Sequence, residues 1–302
     1  MEMRKKAAGP VRAVLLTFLC FASLSCGALA AAPGGSGVEP PPVGALSVSF
    51  IDVGQGDSIL VQAGGESYLI DAGNPEEGPK VVDFLRSRGV DELDGMVATS
   101  GDADHSGGLA DVLDAFTVEN IYVSGYPKET LTYTNFLRTA RNEVDEEGAT
   151  FAALSTGTTL DWAGLRVDVL NPPAGGGEVY TGSNDSSVAL LLTYGRARII
   201  FAGDAEKKAE EYLAASPKSG AVTVMKVNHH GSNTSTTTAF LARYRPEVAV
   251  IQSGEDNTYG HPTPEVLKRL DEAGAEVFRT DLHGDVIVTI EQDDVEVAVT
   301  EP

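Results

Sequence analysis

Apolar and polar positions alternate from Leu46 to Val53, and the stretch ends in the glycine-rich run Asp52-Val-Gly-Gln-Gly-Asp57. A period of two turns one face of a strand inward. Ser58 to Gln62 and Glu66 to Ile70 form a hairpin pattern over Ala63-Gly-Gly65, closing with Asp71-Ala-Gly73. A helix is expected from Pro79, in its first turn, to Gly89, just past its end. Gly95–Thr99 reads as a short buried strand, and Leu109, Val112, Leu113 and Phe116 sit at helical spacing within Gly108 to Phe116. A strand at Asn120–Val123, a charged amphipathic helix at Thr132–Glu147, short strands over Phe151–Leu170 and a Gly-rich loop at Pro172–Gly182 follow. The second half reads as strands Val188–Tyr194 and Ala197–Phe201, helix Ala205–Ala215 and strand Ala221–Val227. Helix Thr237–Tyr244, strand Val248–Ile251, helix Pro264–Ala273 and further strands complete it. There is no short-period repeat. Two runs of strands, each followed by alternating strand and helix, predict two mixed sheets with helices outside them. That is a four-layer α/β/β/α sandwich.

The N-terminus follows another pattern. Arg4, Lys5, Lys6 and Arg12 precede the apolar run Ala13–Leu24, and Ala28-Leu-Ala30 offers a small-x-small cleavage site. Residues 1–30 therefore read as an export signal, too short in its apolar part to span a membrane, which takes about 20 residues. Cys26 offers lipid attachment as an alternative, with Ser23 where such a motif ordinarily carries Leu. Residues 31–45, rich in Pro, Gly and Ala, read as a flexible linker, and residues 46–302 as the folded domain. Nothing after residue 30 is long and apolar enough to span a membrane. The expected location is extracytoplasmic, secreted or held as a lipoprotein through Cys26. The only cysteines, Cys20 and Cys26, lie in the signal region, so no cysteine serves the domain as nucleophile, metal ligand or disulfide.

The formal net charge is −22, and setting residues 1–30 aside leaves 18 basic against 43 acidic residues, a formal −25. So acidic a surface repels polyanions at long range and excludes diffuse, charge-driven binding of nucleic acid. It leaves room for a phosphodiester bridged locally by a metal ion.

Candidate chemistry gathers at strand ends. Thr99-Ser-Gly-Asp-Ala-Asp-His-Ser-Gly-Gly-Leu109 places Asp102, Asp104 and His105 on one strand-to-helix loop. Asp57 ends the first glycine loop, Asp204 follows Ile199-Ile-Phe-Ala202, and His229-His230 follow Val224-Met-Lys-Val227. His261 lies in Tyr259-Gly-His-Pro-Thr263. Each has a plain structural alternative: an Asp capping the next helix, a Gly-Asp turn, a histidine in the core. Ligand sites of α/β sheets collect at these strand ends. The coincidence at four of them favours a metal site of carboxylates and imidazoles over four independent turns.

The set Phe50-Ile-Asp-Val-Gly-Gln-Gly-Asp-Ser58, Asp71-Ala-Gly73, Asp102-Ala-Asp-His-Ser-Gly-Gly108, Asn184 with Ser187, Gly203-Asp204, His229-His-Gly-Ser232 and Gly260-His-Pro-Thr-Pro264 resembles the metallo-β-lactamase fold. Within it, the set is most similar to the soluble hydrolase domain of the ComEC competence proteins, nearly collinearly from about Ser47 to Ile290. The resemblance implies the four-layer sandwich and a site for one or two divalent ions, Zn²⁺ or Mn²⁺, between the sheets. It implies that Asp104 and His105 ligate the second metal of a pair, that Asp204 bridges, and that His230 completes the site with His229 beside it. Asp102 stands where the wider superfamily often has histidine, and with Asp204 would hold the first metal. Asp57 and Asn184 would neighbour the site, Asp104 would also orient the attacking hydroxide, and His261 would contact substrate or phosphate. The departure is Ser100, where the family usually has its first histidine ligand, which weakens the first metal position. The implied activity is metal-dependent hydrolysis of a phosphodiester, with DNA as the specific case. The alternatives are a hydrolase of small-molecule or cell-envelope esters, and a degenerate domain kept as a binding module.

Overall fold

The computed structural model describes residues 12–14, 44–174 and 180–300. The expected export signal, Cys26 and the linker lie outside these residues, apart from Arg12–Val14, Gly44 and Ala45. In chain order the first half contains β1 (Arg12–Val14), β2 (Leu46–Phe50), β3 (Ser58–Ala63), β4 (Glu66–Ala72), α1 (Gly78–Ser87), β5 (Gly95–Ala98), α2 (Ala103–Ser106), α3 (Leu109–Ala115), β6 (Asn120–Val123), α4 (Leu131–Asn142) and β7 (Thr150–Ala153). The second contains β8 (Thr159–Trp162), β9 (Leu165–Asn171), β10 (Ala189–Tyr194), β11 (Ala197–Phe201), α5 (Lys207–Ala215), β12 (Val224–Lys226), α6 (Thr238–Tyr244), β13 (Val248–Ile251), α7 (Pro264–Ala273), β14 (Glu276–Arg279), α8 (Thr280–His283), β15 (Val286–Glu291) and β16 (Asp294–Val299).

Two sheets form, in the orders β1-β16-β15-β2-β3-β4-β5-β6-β7 and β14-β13-β12-β11-β10-β9-β8. Apart from the edge strand β1, which pairs parallel with β16, each is antiparallel on one side and parallel on the other, changing over at β4 and at β11. The reason is local. Short turns such as Gly64-Gly65 can only return a strand beside its neighbour antiparallel. The helical crossovers after β4 and β11 bring the next strand back parallel. The alternating strands put Val48, Phe50, Ile59 and Val61 against Val167, Leu190, Ile199 and Phe201 in a core between the sheets. Their opposite faces, with Leu60, Leu69 and Met96, bury Val81, Leu85, Val112 and Phe136 of α1, α3 and α4. Leu191, Ile200, Met225 and Ala249 bury Leu213, Phe240 and Leu270 of α5, α6 and α7. The four-layer sandwich expected from the pattern is the architecture found.

Boundaries moved where capping decided them. The helix expected over Thr132–Glu147 begins at Leu131, capped by the Thr130 side chain, which accepts from the Tyr133 amide. It gives way at Glu143 to one wide turn that Gly148 ends at φ 83°. The strand expected over Ala221–Val227 narrows to Val224–Lys226, the residues that pair with β11 and β13. The acidic loop holds a four-residue helix, α2, ahead of α3.

Candidate metal centre

The parallel strands of both sheets end on one side of the sandwich, and the chemistry sits on the loops that leave them. Asp104 and His105 lie in α2 after β5, Asp204 follows β11, and His230 follows β12. One ligand atom from each of these four residues lies within 4.8 Å of the others. His105 Nε2 is 3.1 Å from Asp204 Oδ2, and His230 Nε2 is 3.4 Å from both Asp204 Oδ1 and Asp104 Oδ2. His105, His230 and Asp204 are buried, while the Asp104 side chain keeps 29% of its surface and opens the cluster to solvent.

Both imidazoles are held from behind. His105 Nδ1 lies 2.8 Å from Asp71 Oδ2, and His230 Nδ1 lies 3.0 Å from the Gln252 carbonyl and 3.2 Å from Asp57 Oδ1. These acceptors hold the N–H at Nδ1 and leave the Nε2 lone pairs facing the cluster, as the acceptors behind metal-ligating histidines do. His105 Nε2, His230 Nε2 and Asp204 Oδ1 are all buried without a hydrogen-bond partner. Orphaned buried polar atoms are costly. Two imidazole lone pairs and two carboxylates converging on one point are the donor set of a divalent ion such as Zn²⁺, Mn²⁺ or Fe²⁺, and the residues present fit one.

The electrostatics agree. Burial alone would drive His105 and His230 neutral, but the surrounding carboxylates, Asp204 foremost, outweigh it and raise both well above the ordinary imidazole value. Burial would likewise raise Asp204, yet His105 and His230 pull it well below the usual carboxylate range. The cluster demands compensating positive charge, as protons or as a metal ion.

The supports come from far along the chain. Asp71 adopts φ 58° at the end of β4 and also accepts from the Thr99 amide at 2.8 Å. His229 and His230 adopt φ 48° and 53° in succession, a left-handed conformation costly for non-glycine residues. That turn points one imidazole inward and the other out. Gln252 Nε2 donates to the carbonyls of Ile51 and Ser58 at 2.9 and 2.8 Å, tying the second sheet to the glycine loop of the first. Asp57 Oδ2 is 2.5 Å from Lys226 Nζ, with both side chains almost fully buried. Burial would raise Asp57, but Lys226 first and then His230 and His105 hold it at about 2.

The glycine loop also sets the height of α2. Gly56 has φ 156°, and a Cβ there would stand 2.5 Å from the Asp104 carbonyl, which accepts from the Asp57 amide at 3.0 Å. Gly56→Ala must push α2 outward, at a cost on the order of 1–3 kcal/mol of stability. Its expected signature is a lower urea midpoint together with weaker metal binding, because Asp104 and His105 move with the helix. Unchanged values of both would show that the loop does not set the helix.

Other expected site residues fall at the rim. His229 stands beside the cluster, its Nε2 3.7 Å from Asp204 and its Nδ1 3.3 Å from Glu206. His261 packs edge-on to His229 at 5.7 Å, with the exposed Tyr259 ring stacked over it. Burial, then His229 and His230, lower the His261 pKa. Asn184 does not face the cluster: its amide donates to Glu206 at 3.3 Å, in an open cleft lined also by Lys207, Lys208 and Thr234.

Asp102 is the main departure. The sequence reading made it a metal ligand, yet it stands outside the group of four. One carboxylate oxygen is ion-paired with Lys128 and the other accepts from Ser100 Oγ at 3.4 Å. Its side chain makes no capping bond to α2 either, which removes the simple helix-cap alternative. Lys128, Lys226, Glu206 and Gln252 carried no site role in the sequence reading, and Asp71 was quoted in a motif without one. Only Lys226 offered a sequence signal, as a charge inside an apolar strand run.

Residues 51–254 match the profile of the Metallo-beta-lactamase superfamily, and the chain belongs to that superfamily. It is 31% identical over 255 residues to "Recombination protein 2" of Haemophilus influenzae, covering 83% of this chain and 29% of that protein. It is 31% identical over 258 residues to "ComE operon protein 3" of Bacillus subtilis, covering 79% of this chain and 32% of that one. The chain thus spans less than a third of the length of either relative. Among solved structures it is similar to CmlA, a diiron β-hydroxylase from Streptomyces venezuelae, with TM-score 0.55 and 13% identity over 83% of this chain and 55% of that chain. It is also similar to the fold protein YhfI of Bacillus subtilis, with TM-score 0.53 and 10% identity over 78% and 96% of the two chains. At those identities the structures support the fold alone. No helix among the described residues is long and apolar enough to cross a membrane.

Proposed function

We propose that this chain is an exported metal-dependent hydrolase that cleaves phosphodiesters, DNA foremost, with Asp104, His105, Asp204 and His230 holding the ion. The supporting observation is the convergence of the orphaned Nε2 atoms of His105 and His230 on Asp204, with both Nδ1 atoms engaged behind. An ion there supplies a Lewis acid and a water made acidic enough to ionise near neutral pH, about 7 against about 15.7 in bulk. The protein's part is to place the other groups. Asp104, the more solvent-facing of the two carboxylates, can accept a hydrogen bond from the attacking water and fix its direction. His261 is lowered below the ordinary imidazole value and so is neutral at pH 7. It can hydrogen-bond a phosphoryl oxygen without adding charge. Lys207 and Lys208 stand in the adjoining cleft opposite Asp185 and Glu206, so its lining is charge-balanced on an otherwise acidic chain.

The names of the relatives, a recombination protein and a competence operon protein, favour DNA as substrate. The basic and apolar pattern of residues 1–30 favours export, and residues 46–302 form the catalytic domain. A fold of this kind also houses the chemistry named for CmlA, so the reaction must be argued from the site.

The test is turnover of bis-p-nitrophenyl phosphate and linear DNA by the full chain with Mn²⁺ or Zn²⁺, and with chelator. Hydrolysis that needs the ion is expected. His261→Ala is expected to retain its metal and lose about 10²–10³-fold in kcat, the usual cost of removing one hydrogen-bond donor to an oxygen that gains charge in the transition state. Absence of turnover on both substrates with either ion would refute the proposal.

A further inference from the structure

Two-metal sites of this family would need the first position filled by the residue at Ser100, by Asp102 and by Asp204. Here that position is chemically altered at two points. Ser100 offers a hydroxyl, a poor ligand beside an imidazole, and it is spent within the loop: its Oγ accepts from the Asp102 amide at 3.2 Å and donates to Asp102 Oδ2 at 3.4 Å. Asp102 Oδ1 pairs with the ammonium of Lys128, which also reaches Ser183 Oγ at 3.4 Å. The lysine comes from the loop between β6 and α4, and the acidic loop accommodates it. A Cβ on Gly101 would stand 2.7 Å from Lys128 Cβ and 3.1 Å from the Tyr133 ring, so only glycine lets this stem lie against the loop. Both partners are about three-quarters buried, with side-chain exposures of 27% for Lys128 and 25% for Asp102. The remaining donors, Asp104, His105, Asp204 and His230, form a separate, complete set.

We propose that the ammonium of Lys128 takes the place of the first metal ion, so that the chain binds a single divalent cation and meets the substrate's anionic oxygens with that ion and Lys128 together. An ammonium and a divalent ion cannot share one carboxylate at close range without strong repulsion. A lysine tethered at Asp102 therefore excludes a metal from that position while keeping it positive. The inference rests on the metal centre proposed above and deepens it.

The experiment is metal stoichiometry by equilibrium dialysis with Mn²⁺ and elemental analysis of the full chain. Electron paramagnetic resonance of the same samples distinguishes an isolated ion from an exchange-coupled pair. Wild type is expected to bind one ion with the spectrum of an isolated centre. Ser100→His alone is expected still to bind one, because Lys128 remains. Ser100→His with Lys128→Met is expected to bind two and to show coupling. Two ions in wild type or in Ser100→His would overturn the role of Lys128 and leave the four-ligand site intact. One ion in the double variant, with a far-ultraviolet spectrum like wild type, overturns it as well. No ion in wild type would instead refute the metal centre itself, and the inference with it.

Discussion

Asp204→Ala is expected to empty the metal site and to lower turnover by at least about 10²–10³-fold, the loss typical when one essential electrostatic partner is removed from an active site. Asp204 is, among the described residues, the one carboxylate that stands within 3.1–3.4 Å of both inward imidazoles, and its side chain is only 6% exposed. Water cannot replace it at that depth without leaving two imidazoles facing each other. Metal content measured with turnover makes the cause visible: loss of activity with full metal content would place Asp204 outside the ligand set. Asn184→Ala, whose side chain turns toward Glu206, is expected to keep its metal.

The same geometry gives a pH dependence. His105 and His230 hold protons more tightly in the folded metal-free chain than in the unfolded one. Their contribution to stability is therefore complete below about pH 6.5, the ordinary histidine value, and is lost as pH rises through their higher folded values. Asp204 shifts the other way, so its contribution is present above the ordinary carboxylate range and is lost only in acid. The metal-free protein should melt at progressively lower temperature on the alkaline side. Bound metal should remove that trend, because ligated imidazoles have already given up their protons. Calorimetric titration in buffers of different ionisation enthalpy should show protons released as metal binds. A metal-free melting temperature flat across neutral and alkaline pH would contradict this account.

Lys226→Met is expected to cost about 3–5 kcal/mol, the usual result of leaving one charge of a buried pair without its partner. Lys226 and Asp57 have side chains 1% and 2% exposed, and the pair lies directly behind His230 and close to His105. Once the ammonium is gone, Asp57 stays buried with imidazoles as its remaining partners. It then draws a proton onto His230, which weakens the metal site from behind. Denaturant unfolding reads the stability change, and metal affinity should fall with it. Adding Asp57→Asn to Lys226→Met should recover part of the lost stability, since it removes the uncompensated carboxylate; that recovery is the coupling between the two sites. A change within about 0.5 kcal/mol for Lys226→Met, as at an ordinary surface position, would mean that Asp57 does not depend on it.

The layers and the clustered side chains were legible because each rests on short-range information. The alternation of Leu46, Val48 and Phe50 and the helical spacing of Leu109, Val112, Leu113 and Phe116 name the faces that must be buried. The chemistry-bearing residues Asp104, His105, Asp204 and His230 stand directly after strands, where a sandwich of this kind collects them. What surrounds them was not legible in the same way. Asp71 meets Thr99 across 28 residues, Lys128 meets Asp102 across 26, and Gln252 reaches Ile51 across 201. No local pattern encodes such a meeting. Asp102 shows the consequence: its position in the motif made it a ligand, but a lysine from another loop decides what its carboxylate touches.

By itself, then, the sequence determined the two sheets, their helical covers and the strand ends at which Asp104, His105, Asp204 and His230 stand. Periodicity and strand-end chemistry are properties of neighbouring residues. Only the tertiary structure decided which nitrogen of each imidazole faces the cluster, that Asp57 is kept charged by a buried lysine, and that Asp102 is engaged by Lys128. Those depend on distances between loops brought together by sheet order, and on charges whose effect is set by burial. Burial belongs to the assembled fold, not to any single stretch of it.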